Sequence, residues 1–211
     1  MSTPVAVLGG LFDPVHKGHV SAATFAVDFL PVQRLIMVPC RVPNHKAAPS
    51  TPARHRLAML KIATAAYPQI EIDPIELIKD GVSYTVETLS ELKRHHSTLV
   101  FVLGLDAFNA LTEWHEWQRI LELSHLLVLG RPGCVLSDDT AEKLGFEQRR
   151  VFNAEQLLES HAGKIICYED FDFDIASSEI REKLLLGIDV STELDPEVIK
   201  YIKDNGLYQK Q

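Results

Sequence analysis

The amino-acid sequence predicts a doubly wound α/β domain with a mostly parallel sheet and C-terminal helices, and two observations lead to this prediction. Short apolar runs recur along the chain, and such runs are typical of strands that are buried on both faces of a parallel sheet. Segments with apolar residues at helical spacing lie between them, as expected for βαβ units with right-handed crossovers. Because the 211 residues contain no internal repeat and no low-complexity segment, we interpret 1–211 as one domain.

The predicted strands are short, and glycine or proline ends three of them. Gly9-Gly10 ends the first strand, Pro39 the second and Gly104 the fourth. The run at 99–103 (LVFVL) is the clearest, because it is wholly apolar. The predicted strands are 5–8, 35–38, 70–72, 99–103, 126–129 and 164–168.

Helices are predicted from apolar residues three and four positions apart. Val20, Ala23 and Val27 show this spacing in the first helix, which ends before Pro31 because proline does not continue a helix. No element is assigned to 137–162. The predicted helices are 18–30, 52–66, 84–94, 108–111, 117–123, 178–186 and 196–203.

Composition and charge exclude several classes of protein. The sequence has 46% hydrophobic and 24% charged residues, as in ordinary globular proteins, and 29 acidic against 21 basic residues give a net charge of −8. This acidic balance argues against nucleic acid or an anionic membrane as the main partner. No run of about 18 apolar residues is present to span a membrane, and the N-terminus does not resemble a signal peptide. We expect a cytoplasmic protein without a disulfide framework, because no CxxC is formed by Cys40, Cys134 and Cys167.

Positive charge is concentrated near the predicted ends of the first two strands. Between Pro14 and Arg56 there are six basic residues and one acid, and four of the nine histidines lie there too. Within this window, 39–52 contains four prolines and is predicted to be a long irregular loop, which is typical of a functional segment. Ligands of open α/β sheets bind at the carboxyl ends of the strands, so a polyphosphate would be drawn to this edge. For any single Lys or Arg, a solvated surface position is the alternative.

The segment from Gly9 to His19 leads from the first strand into the first helix and has the residues of a phosphate site. Gly9, Gly10 and Gly18 let a phosphate approach the backbone, and the N–H groups at the helix start favour an anion. His16 and His19 are three residues apart, so both imidazoles face the same side and can donate hydrogen bonds to a phosphate. Histidines that only satisfy a glycine-rich turn are the alternative. No carboxylate cluster with metal-ligand spacing is found in the sequence, so no protein metal site is predicted.

This segment, GGLFDPVHKGH, resembles the GGxFDPxHxGH signature of the HxGH nucleotidyltransferase superfamily, and specifically of its bacterial nicotinate-nucleotide adenylyltransferases. The resemblance extends over essentially the whole chain. The family's ISSTxIR pattern reads IASSEIR here, so that Ala176 replaces a serine while hydroxyls remain at Ser177 and Ser178. The other similar segments are 42–46 (VPNHK), 54–59 (RHRLAM), 83–85 (SYT), 104–106 (GLD), 114–117 (WHEW) and 131–133 (RPG).

The resemblance implies a Rossmann-like nucleotidyltransferase fold and the transfer of AMP from ATP to nicotinate mononucleotide, with release of pyrophosphate. It implies that His16, His19, Lys46 and Arg181 act on the phosphates, without a covalent intermediate. Mg²⁺ is expected to arrive with ATP. The implied ATP contacts are Gly9, Gly10, Phe12, His16, Gly18, His19, Gly104, Asp106, Ser177, Ser178 and Arg181. The implied contacts to nicotinate mononucleotide are Asp13, Lys46, Tyr84, Thr85, Trp114 and Arg131.

Several of these residues have a structural interpretation as well. Ser177 and Ser178 are natural N-caps of the following helix. Asp106 could also cap a helix rather than bind the ribose hydroxyls. Trp114 and Trp117 could both belong to the core, although the polar neighbours of Trp114 favour partial exposure and stacking on a pyridinium ring.

Two other functions remain open at this stage. One is a sister adenylyltransferase that acts on nicotinamide mononucleotide or phosphopantetheine, and the other is a non-catalytic nucleotide sensor on the same fold. The SYT turn, the WxxW pattern and the chain length favour nicotinate mononucleotide. A sensor would be expected to lose His19 or Lys46, and both are present. Taken singly, Lys46 and Arg131 could be ordinary loop residues.

Overall fold

The computed structural model describes residues 4–42, 49–79, 81–130, 135–171 and 175–209. Within these ranges six strands form one sheet in the order β3-β2-β1-β4-β5-β6, and every neighbouring pair is parallel. All six predicted strands are confirmed, with ends that differ by two residues or fewer. The strands are β1 (Val5–Gly10), β2 (Leu35–Pro39), β3 (Ile70–Ile72), β4 (Leu99–Gly104), β5 (His125–Leu129) and β6 (Ile165–Tyr168).

The same described ranges contain ten α-helices. They are α1 (Lys17–Phe29), α2 (Ala53–Thr64), α3 (Ile75–Ile78), α4 (Thr85–Lys93), α5 (Leu105–Asn109), α6 (Trp117–Leu123), α7 (Asp138–Leu144), α8 (Phe146–Arg149), α9 (Ser177–Leu185) and α10 (Pro196–Asp204). Seven of these were predicted, but α5 begins three residues earlier than expected. The others, α3, α7 and α8, were not predicted; they have four to seven residues, and α7 and α8 lie in 137–162, where no element was assigned.

Helices cover both faces of the sheet, as the doubly wound prediction requires. On β1, Ala6 and Leu8 face a core that includes residues of α1, α2, α9 and α10, whereas Val5 and Val7 face a core that includes residues of α4 to α8. Successive side chains of a strand point to opposite faces, so a strand with a core on each side needs apolar residues at every position. Within the described residues, no helix is long and apolar enough to cross a membrane.

The strand order places a switch point between β1 and β4. The chain leaves β1 for β2 and β3 on one side, and then returns to β4 on the other side of β1. The register pairs Leu8 with Val102, so Gly10 and Gly104 end neighbouring strands at the same edge. In doubly wound sheets the crevice at such a point is the usual ligand site.

Candidate active site

The loop between β1 and α1 is built around its own glycines. Phe12 is fully buried with a φ of 50°, and a Cβ on Gly10 would lie 2.9 Å from its ring. A Cβ on Gly18 would lie 3.1 Å from Nδ1 of His16. A side chain at Gly10 would therefore require the buried ring of Phe12 to move, and one at Gly18 would crowd the ring of His16. At Gly9 a Cβ would make only an ordinary contact at 3.8 Å. Gly9 is exposed, and packing does not explain why this position is glycine.

His16 and His19 face each other at the N-terminus of α1, which confirms that they lie on one side of the helix. Their rings stack with centroids 3.6 Å apart, and the backbone N–H of His16 donates to Nδ1 of His19 at 3.3 Å. Because Nδ1 of His19 accepts this bond, the neutral ring carries its proton on Nε2, which is then a donor. The ring of Phe12 contacts His19 edge-on at 4.9 Å and restricts its orientation.

Asp13 belongs to this loop, and it is buried, with 2% of its surface exposed. Its Oδ2 accepts hydrogen bonds from the backbone N–H and the hydroxyl of Ser50, at 2.7 and 2.9 Å. Its Oδ1 accepts a hydrogen bond from the hydroxyl of Tyr208 at 2.6 Å. Both carboxylate oxygens are thus engaged by this chain, which gives Asp13 a supporting function. A contact between Asp13 and nicotinate mononucleotide stays a prediction.

The start of α9 packs directly on the same loop. Nη1 of Arg181 donates to the carbonyl of Asp13 at 2.7 Å. The hydroxyl of Ser177 donates to the carbonyl of Pro14 at 3.0 Å. The N-cap of α9 is Ala176, so the interpretation of Ser177 and Ser178 as N-caps is wrong. The helix begins one residue early, and the Ser177 hydroxyl holds the loop instead. Ser178 is exposed in the first turn.

The carboxyl end of β4 is accessible to a ligand. Gly104 is exposed, and among the described atoms nothing lies within 4 Å of a Cβ placed on it. Gly104 is also the N-cap of α5, which begins at Leu105, so the interpretation of Asp106 as a helix cap is wrong. Asp106 lies exposed in the first turn of α5, beside the crevice between β1 and β4. A carboxylate there is favoured by the helix dipole.

The residues predicted to bind the nicotinate group lie at the start of α4 and before α6. Tyr84 is the N-cap of α4 and Thr85 is its first residue. The ring of Tyr84 contacts that of His115 at 4.5 Å, and sequence reasoning had not selected His115 for the site. Trp114 and Trp117 are half-buried against the core on the α4 side, so each is partly a core residue, and Trp114 also has exposed surface as predicted.

Two predicted site residues, Lys46 and Arg131, lie outside the described residues. The predicted loop at 39–52 is described only at its two ends, because 43–48 lie outside as well.

Sequence reasoning also missed the most deeply buried charge near the site. Arg56 of α2 is fully buried and donates hydrogen bonds to the carbonyls of Leu11, Thr51 and Arg41, at 2.6, 3.2 and 3.4 Å. Burial lowers the pKa of Arg56, and the nearby charge of Asp13 opposes this effect. Sequence analysis placed Arg56 among the basic residues between Pro14 and Arg56. The position of an arginine in the sequence does not show whether its guanidinium is buried or solvated.

The two described cysteines are poor nucleophiles. Burial raises the pKa of Cys40 and of Cys167 to about 11 each, and a nearby Glu76 adds to the effect at Cys40. The thiolate is the reactive form, so both side chains are neutral at pH 7. Within the described ranges, no group of three or more His, Cys, Asp and Glu side chains is arranged to hold a metal ion.

The fold and the site together define an α/β protein of the nucleotidyltransferase type, in which a helix N-terminus and two histidines suited to a phosphate lie at the switch point of a parallel sheet. Residues 7–183 match the cytidylyltransferase-like family. A probable nicotinate-nucleotide adenylyltransferase of Acidithiobacillus ferrooxidans is 39% identical over 209 residues, which cover 97% of this chain and 95% of that protein. Its counterpart from Pseudoalteromonas atlantica is 36% identical over 207 residues, with 97% and 94% covered. The chain therefore belongs to the nicotinate-nucleotide adenylyltransferase family, as its motifs predicted.

A solved structure has the same fold. Nicotinic acid mononucleotide adenylyltransferase of Plasmodium falciparum, complexed with NaAD, matches with a TM-score of 0.76 over 98% of this chain and 97% of that one. The two sequences are 21% identical, so this similarity supports the fold rather than the details of the site.

Proposed function

We propose that this protein transfers AMP from ATP to nicotinate mononucleotide, giving nicotinate adenine dinucleotide and pyrophosphate, a step of NAD biosynthesis. One observation carries the proposal. The stacked pair His16 and His19 lies at the N-terminus of α1, at the switch point of the sheet, in a chain that is 36–39% identical to two probable enzymes of this kind. A helix N-terminus with two imidazoles suits the phosphates of a nucleotide.

The reaction is an in-line displacement at the α-phosphorus of ATP. An oxygen of the 5′-phosphate of nicotinate mononucleotide forms a bond to that phosphorus, while the bond to the bridging oxygen of the β-phosphate breaks and pyrophosphate leaves. No covalent enzyme intermediate is required, so the protein acts by positioning two anions and by stabilising the charge that develops. His19 donates from Nε2 to the transferring group, and the backbone N–H groups of α1 favour the same charge.

Arg181 and Lys46 supply further positive charge in this proposal. One amino group of Arg181 is held by the carbonyl of Asp13, and the guanidinium has other N–H donors for a phosphate. Lys46 contributes as a point charge from the loop after β2. The exposed Asp106 is proposed to accept hydrogen bonds from the ribose hydroxyls of ATP.

The acceptor is proposed to bind between α4 and the segment before α6. The backbone N–H groups at the start of α4, with the hydroxyl of Thr85, suit the carboxylate of nicotinate. Tyr84 and Trp114 offer aromatic surface to the pyridinium ring. Arg131 is proposed to contact the same substrate.

Mg²⁺ is proposed to reach the site bound to ATP, held by phosphate oxygens and water, which is the usual coordination of this ion at nucleotide sites. When bound, it neutralises charge on the leaving pyrophosphate. The net charge of −8 further supports small-molecule substrates, rather than nucleic acid or membranes. A cytoplasmic location is proposed because the three cysteines form no CxxC and fit a reducing compartment.

The experiment is a pyrophosphate-release assay with ATP, Mg²⁺ and one of three acceptors: nicotinate mononucleotide, nicotinamide mononucleotide or phosphopantetheine. We expect fast release with the first only, and loss of release in His19→Ala. His95→Ala removes an exposed histidine at the end of α4 and is expected to keep full activity. Preference for another acceptor would show that the protein is an adenylyltransferase with a different acceptor substrate. No release with any acceptor, despite ATP binding, would favour the nucleotide sensor and refute the proposal.

A further inference from the structure

The C-terminal end of the chain turns back toward the active site. After α10, Gly206 has a φ of 59°, its N–H donates to the carbonyl of Lys203, and the N–H of Leu207 donates to the carbonyl of Ile202. These two bonds form a Schellman motif, in which glycine ends the helix and reverses the chain. As a result, Leu207 and Tyr208 pack against the core on the α1 side of the sheet.

The hydroxyl of Tyr208 meets two segments that border the candidate site. It donates to Oδ1 of Asp13 at 2.6 Å, and the side chain of Thr51 lies near the same hydroxyl and lowers its pKa slightly. Burial raises the pKa of Tyr208, and the bond to Asp13 raises it further, so the hydroxyl keeps its proton and stays a donor. Tyr208 has a φ of 57°, which a bulky residue rarely adopts, so its contacts must hold it there.

Asp13 is the point where these segments join. Its second carboxylate oxygen accepts two hydrogen bonds from Ser50, in the segment that precedes α2. Arg56 ties the same two loops together, because its guanidinium donates to the carbonyls of Leu11 and Thr51. The loop that leads into α1 and the segment before α2 are therefore linked by buried hydrogen bonds, and the C-terminal tyrosine supplies one of them.

We propose that Tyr208 is a positioning residue for the AMP transfer: its hydroxyl holds Asp13 and thereby fixes, against the segment at 50–51, the loop that carries His16 and leads into the first turn of α1, where His19 lies. This inference rests on the proposed function. Asp13 is 2% exposed, so water does not readily replace the lost donor if the hydroxyl is removed. A small displacement of this loop would misplace the phosphates, and reactions that depend on positioning are sensitive to shifts of about 1 Å.

The test compares two tyrosines of the C-terminal region. Tyr208→Phe is expected to lower kcat about tenfold, the size of effect that loss of a hydrogen bond to a charged group can carry, with a smaller change in KM. Tyr201→Phe is the matched control, because it removes the contact between Tyr201 Oη and Nδ1 of His55 at 3.0 Å, between α10 and α2. The control is expected to keep the kcat of the original protein. Both assays are made well below the unfolding temperature, and equal kcat values in the two variants would overturn the proposal.

A double-variant cycle tests the route through Asp13. Ser50→Ala removes one of the donors to Oδ2, and Tyr208→Phe removes the donor to Oδ1. Since both changes act on one carboxylate, their effects on kcat should be non-additive. Effects that simply multiply would show that the two residues act independently, and would overturn this route.

Amide hydrogen exchange separates this inference from the proposed function, because it needs no substrate. In Tyr208→Phe the hydrogen-bonded amides of His16 and His19 should exchange faster than in the original protein and in Tyr201→Phe. If the original protein releases no pyrophosphate, the proposed function fails, while faster exchange would still support a hydroxyl that holds this loop. Unchanged exchange at His16 and His19 would overturn the inference, whatever the activity.

Discussion

A buried histidine far from the candidate site should make the unfolding free energy of this protein fall at acidic pH. His125 begins β5 and is fully buried. Its Nε2 lies 3.1 Å from the carbonyl oxygen of Ser160, and the backbone N–H of Lys164 donates to its Nδ1 at 3.2 Å. The neutral ring satisfies both contacts, with its proton on Nε2. A second proton on Nδ1 would break the bond to Lys164 and place a charge in the core.

The size of the effect follows from the pKa of this ring. Burial lowers the pKa of His125 from 6.5 to about 4, with the nearby Lys93 and Lys164 adding to the effect and the bond to Ser160 opposing it. At 1.36 kcal/mol per pH unit, the difference corresponds to about 3 kcal/mol of unfolding free energy. The unfolded chain binds the extra proton near pH 6.5, whereas the folded chain does so only near pH 4. The contribution is therefore complete above pH 6.5 and is lost as the pH falls from 6.5 to 4.

Urea unfolding between pH 7 and pH 4 measures this loss. His125→Gln cannot take up the proton, so its unfolding free energy should fall by about 3 kcal/mol less than that of the original protein over this range. Acidic groups such as Glu193, whose pKa is lowered by Lys183, contribute equally to both proteins and cancel in the difference. His95→Gln, at an exposed position, should follow the original protein. The same pH dependence in His125→Gln and the original protein would refute the reasoning.

Three further predictions concern the loop glycines, the buried arginine and a thiol. Gly10→Ala should lower kcat and lower the unfolding free energy by about 1–3 kcal/mol, because the added Cβ would overlap the ring of Phe12. Gly104→Ala is the control and should change the unfolding free energy by less than about 0.5 kcal/mol, because nothing lies near its Cβ among the described atoms. Urea unfolding and the pyrophosphate assay check both variants. Arg56→Met should cost about 3 kcal/mol in the same unfolding assay, because buried carbonyls lose their donors, and a change below about 1 kcal/mol would contradict this. Cys40 should react slowly with a disulfide reagent at pH 8, since its pKa is about 11, and labelling as fast as in urea would count against its burial.

Local patterns in the sequence determined most of the sheet and the central motif. A strand buried on both faces needs apolar residues throughout, so all six strands could be predicted within two residues. The pairing of His16 and His19 is also local, because three residues in one helical turn bring two rings to the same side. Family membership followed from these segments for the same reason, since motif residues are adjacent in the chain.

Tertiary packing alone decided the contacts that hold the motif in place. Tyr208 and Asp13 are 195 positions apart, and no periodicity within a window relates them. The hydroxyl of Ser177 donates to the carbonyl of Pro14, 163 positions away, instead of capping its own helix. From the sequence, Arg56 is one of several basic residues near a loop. In the folded chain it is buried and donates hydrogen bonds to three carbonyls. Such bonds depend on which elements pack side by side, and that arrangement is a property of the whole chain rather than of any segment.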